Sequence, residues 1–210
     1  MADRRHGEQP PATETDVRDA DWYGEDLSGQ EHTRVAFSGV DLSETTDDGA
    51  VFTECTFKRA KFNASSHTDA AFLNCTFVNC NFFDARLTEC KFVGSMFDRC
   101  TFEITQVVGG NWSLVGMPGA NLRTASFRGV RMREADLTGA QCPESSLRDL
   151  DLAGALLHRA NFTGCDLRGS DVTSIDPEHA ELRGAIVTIE QAVVIAEALG
   201  LDVRADPEID

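Results

Sequence analysis

The sequence predicts a repeat solenoid, and three observations about side-chain spacing lead to this fold class. From residue 22 to residue 187 every fifth position is mostly Phe, Leu, Met, Val or Trp, and the frame never slips. A small residue usually stands two positions earlier, and Gly is frequent two positions later. A period of five fits neither a helix nor a strand, and a short repeat kept over such a length is typical of coils that bury one another.

Residues 1–21 precede the repeat and are predicted to form a polar tail that is partly disordered. This tail lacks the apolar core of a signal peptide, and no apolar run in the chain has the length that a membrane-spanning helix needs. We therefore expect a cytoplasmic protein.

Residues 22–187 carry a five-residue motif that begins with a small residue, then Asp or Asn, then Leu or Phe. It is clearest at residues 120–122 (Ala-Asn-Leu), 135–137 (Ala-Asp-Leu) and 160–162 (Ala-Asn-Phe). The motif resembles that of the pentapeptide repeat family. This resemblance implies an all-β fold, a right-handed quadrilateral β-helix with one pentapeptide on each of its four sides. Residues four repeats apart would then stack at about 4.8 Å.

The predicted core is a set of stacked ladders, of which one runs Phe37, Phe57, Phe77, Phe97, Met117, Leu137, Leu157. Large rings dominate the first half of the repeat and Leu the second, so we expect the two halves to be packed differently. Five central positions depart from the pattern: His32, Asp47, His67, Cys142 and Pro177.

The cysteines fit the repeat as small side chains. Six of the seven Cys occupy the small position of the motif, and Cys142 occupies a central one. We interpret them as buried thiols in a reducing compartment. Disulfides or a zinc site are the alternative, but no His accompanies these Cys at ligand spacing. We expect neither a metal nor a cofactor.

The sequence contains no motif of a known catalytic class, neither a phosphate-binding loop nor a nucleophile elbow nor a zinc-protease signature. Asp47 and His67 lie twenty residues apart at nominally inward positions and could form an acid–base dyad. Because a buried unpaired charge is costly, we expect instead that the coil near residues 43–49 is irregular and that both side chains turn outward or pair locally. The chain is predicted not to be an enzyme.

Residues 188–210 are predicted to contain a helix followed by an acidic tail. Thr188 and Gln191 form a capping box, and Gly200 marks the helix end. The apolar arc of this helix is wider than one docking surface requires, which predicts a homodimer formed through the C-terminal helix; a simple cap on a monomer is the alternative. The predicted dimerisation residues are Ile189, Ala192, Val193, Ile195, Ala196, Leu199 and Leu201.

The net charge of −16 excludes ordinary binding of nucleic acid through a basic patch. Residues 134–202 hold thirteen acids and four Arg, a net charge of −9, whereas residues 123–133 hold four Arg and no acid. Two such segments joined tail to tail would carry −18 (−9 and −9) over about 50 Å, where duplex DNA carries about 30 charges. The charge density of the two joined C-terminal segments is therefore compatible with imitation of DNA.

Assignment of outward positions predicts one acidic side and one mixed side. The acidic surface consists of Glu134, Asp136, Asp151, Asp171, Asp176 and Glu178. The mixed side carries Arg128, Arg148 and Arg168 as a ladder, with Arg123 and Arg183 nearby. Ordinary solubility charge with accidental clustering is the alternative interpretation.

The chain is similar to the quinolone-resistance pentapeptide proteins of the Qnr and MfpA type. This resemblance implies a DNA-mimicking protein whose partner is bacterial DNA gyrase or topoisomerase IV, with inhibition of the enzyme or resistance to fluoroquinolones as the outcome. The unbroken frame leaves no room for projecting loops, which is closer to the MfpA kind. The alternative function is a structural or adaptor solenoid with no topoisomerase target.

Overall fold

The computed structural model describes residues 11–204, which form a four-sided parallel β-helix followed by one α-helix. Residues 1–10 and 205–210, which include parts of the predicted polar and acidic tails, lie outside the described residues. Each coil takes twenty residues, because paired strands are parallel and twenty residues apart, as in Phe57 with Phe77. The predicted fold class is confirmed.

The strands of the described residues are short, because each side of the tube is only one pentapeptide wide. In chain order they are β1 (Thr15–Arg18), β2 (Glu31–Thr33), β3 (Val35–Ser38), β4 (Thr46–Asp48), β5 (Val51–Thr53), β6 (Thr56–Lys58), β7 (Ser66–Thr68), β8 (Ala71–Leu73), β9 (Thr76–Val78), β10 (Arg86–Thr88), β11 (Met96–Asp98), β12 (Gln106–Val108), β13 (Ser126–Arg128) and β14 (Ser146–Arg148).

Three of the four sides contain a sheet, and each side is named here by the central residue of one coil. The Phe52 side holds β2, β5 and β8, the Phe57 side holds β1, β3, β6, β9 and β11, and the His67 side holds β4, β7, β10, β12, β13 and β14. The Phe62 side is joined by isolated parallel bridges such as Lys61 with Asn81.

The central residues point inward and stack into the predicted ladders. Phe57 and Phe77 stack with ring centroids 4.9 Å apart and an interplanar angle of 4°, and rings on adjacent sides meet edge to face, as Phe57 does with Phe62. Both arrangements are favourable for aromatic rings. The stacked rings dominate up to Trp112 and Phe127, after which Met132, Leu137 and similar chains fill the tube, so the two halves are packed differently, as predicted.

The residue two positions after a central residue adopts a left-handed backbone in most repeats, Thr124 and Ser174 being exceptions, and we call this the left-handed position. Gly39 has a φ of 69° and Gly94 a φ of 68° there. Because glycine has no Cβ, it tolerates this conformation at no steric cost, which explains the recurrence of Gly at this position. Ile104 occupies it with a φ of 59°, an uncommon conformation for a β-branched residue.

The residue immediately before each central residue forms a local hydrogen bond when it is Asp or Asn, and we call this the Asx position. The Oδ1 atom of Asp41 accepts from the backbone N–H of Ser43 at 3.0 Å, and Oδ1 of Asn161 accepts from Thr163 at 2.9 Å. Either side chain offers the required oxygen. The Asp/Asn preference of the motif is therefore a requirement of the backbone turn and does not depend on charge.

The β-helix begins earlier than the repeat frame predicts. β1 lies within residues 1–21, pairs along its whole length with β3, and places the half-buried Val17 against the core. Val17 falls five residues before residue 22 and so occupies the next central position toward the N-terminus. The polar neighbours of Val17 hid this repeat from the sequence pattern.

The expected irregular coil at residues 43–49 is wrong. Residues 46–48 form β4, which pairs with β7 in the regular register. Asp47 and His67 both point inward and are 5% and 2% exposed. They pair with each other through Asp47 Oδ2 and His67 Nδ1, because stacking at the coil spacing brings these two positions together.

The seven Cys are free thiols, and six of them are buried in the tube, while Cys100 is half-buried. The sulfurs of five of them contact backbone carbonyls of the preceding coil, as Cys75 Sγ does with the carbonyl oxygen of Phe52 at 3.3 Å. The interpretation of the thiols as small core side chains is confirmed by this burial.

The helix α1 (Ile189–Ala198) closes the C-terminal end of the tube. Thr188 and Gln191 form the predicted capping box, and Gly200 has a φ of 82° just after the helix. Gln191 is buried, and its Nε2 donates to the carbonyl oxygens of Leu167 and Ser170, both at 2.7 Å. Among the described residues, no helix has both the length and the apolar character needed to cross a membrane.

Candidate functional site: the acidic C-terminal surface

The six predicted acidic residues lie on two adjoining sides of the C-terminal coils. Asp151 and Asp171 follow one another on the Phe52 side, where residues twenty apart stack, and Asp136, Asp176 and Glu178 belong to the Phe57 side. Glu134 occupies the left-handed position at the corner between these sides, with a φ of 55°.

Four of the six acids occupy the Asx position, so one oxygen of each carboxylate holds the backbone. The distances from Oδ1 to the accepted N–H are 3.0 Å for Asp136, 3.4 Å for Asp151, 2.9 Å for Asp171 and 3.0 Å for Asp176. Their positions therefore have a structural explanation, and only their negative charge, which Asn would lack, remains available for a partner.

Two of the six acids differ from the expected exposed carboxylates. Asp136 is only 5% exposed, because it stacks between Gly116 and Leu156 of the adjacent coils. The side chain of Asp151 is 31% exposed, and its Oδ2 pairs with Nε of Arg133 at 2.5 Å. The acidic surface is thus smaller than predicted.

The remaining four acids, Glu134, Asp171, Asp176 and Glu178, have no Lys or Arg partner among residues 11–204. Asp176 pairs with His179 Nδ1 at 2.7 Å. The hydrogen bond from His179, together with the backbone N–H of Glu178, holds the pKa of the Asp176 carboxyl below its ordinary value. These four carboxylates are called the acidic surface from here on.

The mixed side is present on the His67 side of the tube. Arg128 lies 3.5 Å from Asp149, and Arg148 and Arg168 approach Asp166 at 3.8 and 2.7 Å. The hydrogen bond from Arg168 lowers the pKa of the Asp166 carboxyl. Because these charges compensate one another, this side offers little net field to a partner.

The helix α1 presents two apolar stripes. Val194 and Ile195 pack against the core of the tube, so Ile195 is a capping residue and not part of a free dimerisation surface. The outward stripe holds the rest of the predicted set within the helix and its C-cap: Ile189, Ala192, Val193, Ala196 and Leu199. Ile189 is 81% and Leu199 53% exposed, and Leu201, beyond the helix, is 60% exposed.

The repeat is recognised by two family models. A model described as "Pentapeptide repeat region" matches residues 50–117, and a model described as "Pentapeptide repeats (8 copies)" matches residues 117–141 and 135–173. The chain belongs to the pentapeptide repeat family. No curated protein matches its sequence.

Solved structures of pentapeptide repeat proteins resemble this member of the family. A trypsin-treated variant of QnrB1, described as a plasmid-mediated fluoroquinolone resistance protein, superposes with a TM-score of 0.68 at 23% identity, covering 92% of this chain and 97% of that one. Full-length QnrB1 gives a TM-score of 0.47 at 22% identity, covering 89% and 98%. HetL from Nostoc sp. strain PCC 7120 gives 0.28 at 19% identity, covering 83% and 86%. The first superposition establishes a shared fold.

Sequence reasoning missed two contacts of this region. Arg133 and Asp151 are eighteen residues apart, which places them diagonally on one side, and comparison only of residues twenty apart overlooks this pairing. The side-chain bonds of Gln191 to the last coil were also missed, although Gln191 lies twenty residues after Asp171 and so stands above an Asx position.

Proposed function

We propose that this protein is a non-enzymatic dimer that binds a bacterial type II topoisomerase, DNA gyrase or topoisomerase IV, by presenting carboxylates in place of DNA phosphates. The observation that carries the proposal is the acidic surface, four carboxylates without a Lys or Arg partner among residues 11–204, at the end of the tube that also bears the outward apolar stripe of α1. QnrB1 is a fluoroquinolone resistance protein, and such resistance is the proposed biological outcome for this chain.

The dimer is supported by the spacing of apolar residues on α1. Ile189, Val193 and Ala196 recur at helical spacing on a face that the tube does not cover, and exposed apolar stripes of this kind commonly mark protein contacts. A second copy of the chain would cover the stripe and place two acidic surfaces at the centre of one elongated particle. Doubling the acidic surface brings the charge closer to that of duplex DNA.

Gyrase supercoiling assays with and without ciprofloxacin test the proposed partner. The purified protein is expected to inhibit supercoiling or to restore it in the presence of the drug at micromolar concentration. Absence of both effects on gyrase and on topoisomerase IV would leave the adaptor function as the better account.

The acidic surface is tested by charge removal that preserves the turns. The variant combines Glu134→Gln, Asp171→Asn, Asp176→Asn and Glu178→Gln. Asn keeps the oxygen that the Asx position requires, so we expect the variant to fold. The protein concentration that gives the same effect on gyrase should rise by about tenfold or more. The matched control at the other end of the tube combines Asp21→Asn, Glu25→Gln, Asp26→Asn and Glu31→Gln. Equal losses in both variants would point to net charge instead of this surface.

The dimer is tested by sedimentation. Ala192→Asp together with Leu199→Asp should convert the dimer to a monomer, because two charges would be buried at the centre of the contact. Ile104→Asp is the control, since Ile104 is 48% exposed on a distant coil. A monomeric wild type, or a double variant that still sediments as a dimer, would contradict the helix contact.

A further inference from the structure

A cluster of metal-ligating side chains lies where the regular coil breaks at residues 176–180. Pro177 takes the central position of the Phe57 side and, lacking an N–H, cannot continue the ladder. The backbone instead makes a tight turn in which the carbonyl oxygen of Asp176 accepts from the N–H groups of His179 at 3.0 Å and Ala180 at 2.9 Å.

The turn shifts the register by one residue. In regular coils of this side the left-handed residue donates to the residue nineteen positions on, as Gly139 does to His158, whereas Arg159 donates to His179, twenty positions on. This bulge places His179 above His158, with ring centroids 5.1 Å apart and an interplanar angle of 38°. Both rings are exposed.

The two imidazoles are accompanied by two carboxylates. One ligand atom each from Asp176, Glu178 and His179 lies within 4.8 Å of the others. Asp176 Oδ2 accepts from His179 Nδ1 at 2.7 Å, and a carboxylate on one ring nitrogen leaves the lone pair on the other nitrogen for a metal. Asp176 itself is fixed by its Asx hydrogen bond to Glu178.

We propose that His158, His179 and Glu178 bind one divalent transition-metal ion such as Zn²⁺ or Ni²⁺, with Asp176 as the residue that positions His179. Imidazole with carboxylate is a ligand set for zinc, nickel or copper rather than for magnesium or calcium. The ring spacing agrees, because two imidazoles at a metal–nitrogen distance of about 2.1 Å in tetrahedral geometry have centroids about 5 Å apart.

The site adjoins the helix that closes the tube. Asp176 and Glu178 also line an open groove together with Leu199 and Gly200, so the carboxylates of the cluster lie near the end of α1. An ion that binds only the folded chain raises its stability in proportion to its affinity. Metal binding therefore has a readout in thermal unfolding as well as in calorimetry.

Isothermal titration of the untagged full-length chain with Zn²⁺, and separately with Ni²⁺, tests the proposal. We expect one ion bound for each chain and a rise in melting temperature on saturation. His158→Gln and His179→Gln should each weaken binding by about tenfold to a hundredfold, and Asp176→Asn by less. Asp171→Asn is the control, since it removes a neighbouring carboxylate from outside the cluster.

Failure to bind either ion would overturn the proposal, as would unchanged affinity in the double variant His158→Gln, His179→Gln. Equal weakening by Asp171→Asn would indicate a diffuse effect of negative charge and would also contradict a defined site. Because no topoisomerase takes part, the outcome is independent of the proposed function.

Discussion

The Asp47–His67 pair shows how polar side chains are accommodated inside this tube. His67 Nε2 lies 3.0 Å from Ser65 Oγ, and Ser65 Oγ donates to the carbonyl oxygen of Phe62 at 2.8 Å. The arrangement has the residue types of a hydrolase triad, but all three side chains are enclosed by the coils. A substrate has no access to them, so their role is structural.

A double-mutant cycle is expected to show strong coupling within this pair. His67→Leu alone leaves a buried carboxylate without a partner and should lower the free energy of unfolding by about 3–5 kcal/mol, whereas Asp47→Leu with His67→Leu should be neutral or stabilising. Leu is compatible with this ladder, as Leu27 and Leu87 show. Urea unfolding measures the cycle; additive losses in the double variant would mean that the pair is not coupled.

The buried thiols are expected to resist modification in the folded protein. Burial raises the pKa of the Cys90 thiol to about 12 and that of the Cys165 thiol to about 11, so both remain protonated near pH 8. Because these folded pKa values exceed the unfolded value of about 8.5, the associated stability is present below that pH and is lost as pH rises toward 11–12.

Thiol titration with and without denaturant measures this protection. We expect the two Cys to react only after unfolding, with half-buried Cys100 as the internal comparison. Rapid reaction of Cys90 or Cys165 in the native protein would show that the coils open locally.

Among the elements, α1 is attached to the last coil through the side chain of Gln191. In a further coil the backbone N–H of residue 191 would donate to the carbonyl oxygen of Ser170, by analogy with Asp171 donating to Leu150 at 2.8 Å. The chain instead turns into α1, and Gln191 Nε2 supplies the missing donor. The helix is thereby held to the tube by a polar contact as well as by Val194 and Ile195.

Gln191→Ala should cost about 1–3 kcal/mol, because it removes the donor that pairs with the carbonyl oxygen of Ser170, and should lower the melting temperature by several degrees. Gln191→Glu keeps an acceptor for the capping box but loses the Nε2 donor. A comparable loss of stability in this variant would therefore assign the effect to the donor. A melting temperature unchanged in both variants would show that apolar packing alone holds α1.

The sequence predicted the elements well where the repeat is regular and less well where neighbouring coils determine the outcome. The five-residue period was sufficient for the ladders, and the capping box of Thr188 and Gln191 was sufficient for the helix. The period could not reveal that Asp47 and His67 pair with each other, since pairing depends on the coil spacing. It also could not reveal that Asp136 is buried by Gly116 and Leu156 or that Arg133 neutralises Asp151, because these contacts join different coils.

At the scale of the whole molecule, the stacked rings are expected to divide the tube into a more and a less protected half. Coils between Phe52 and Trp112 bury ring upon ring, whereas residues 165–187 end in partly buried Leu182, Ala185 and Val187. Because solenoid coils contact only their neighbours, local stability can differ along the axis.

Hydrogen exchange followed by mass spectrometry should therefore be slowest in the Phe-rich coils and faster beyond residue 165. Peptides from β1, at the other end, provide the comparison for simple fraying, because β1 also has a partner on one side alone among the described strands. Uniform protection along the tube would mean that it unfolds as a single cooperative unit.

The Asx position has a consequence for how such a tube can diversify. Since the turn needs only an oxygen atom, Asp and Asn can replace each other there without loss of the hydrogen bond. Each replacement changes the net charge of one side by one unit. The exterior can thus become acidic or neutral, coil by coil, through single substitutions that leave the ring ladders untouched. In this architecture, mutations can therefore change the surface charge that a partner recognises without changing the core that stabilises the fold.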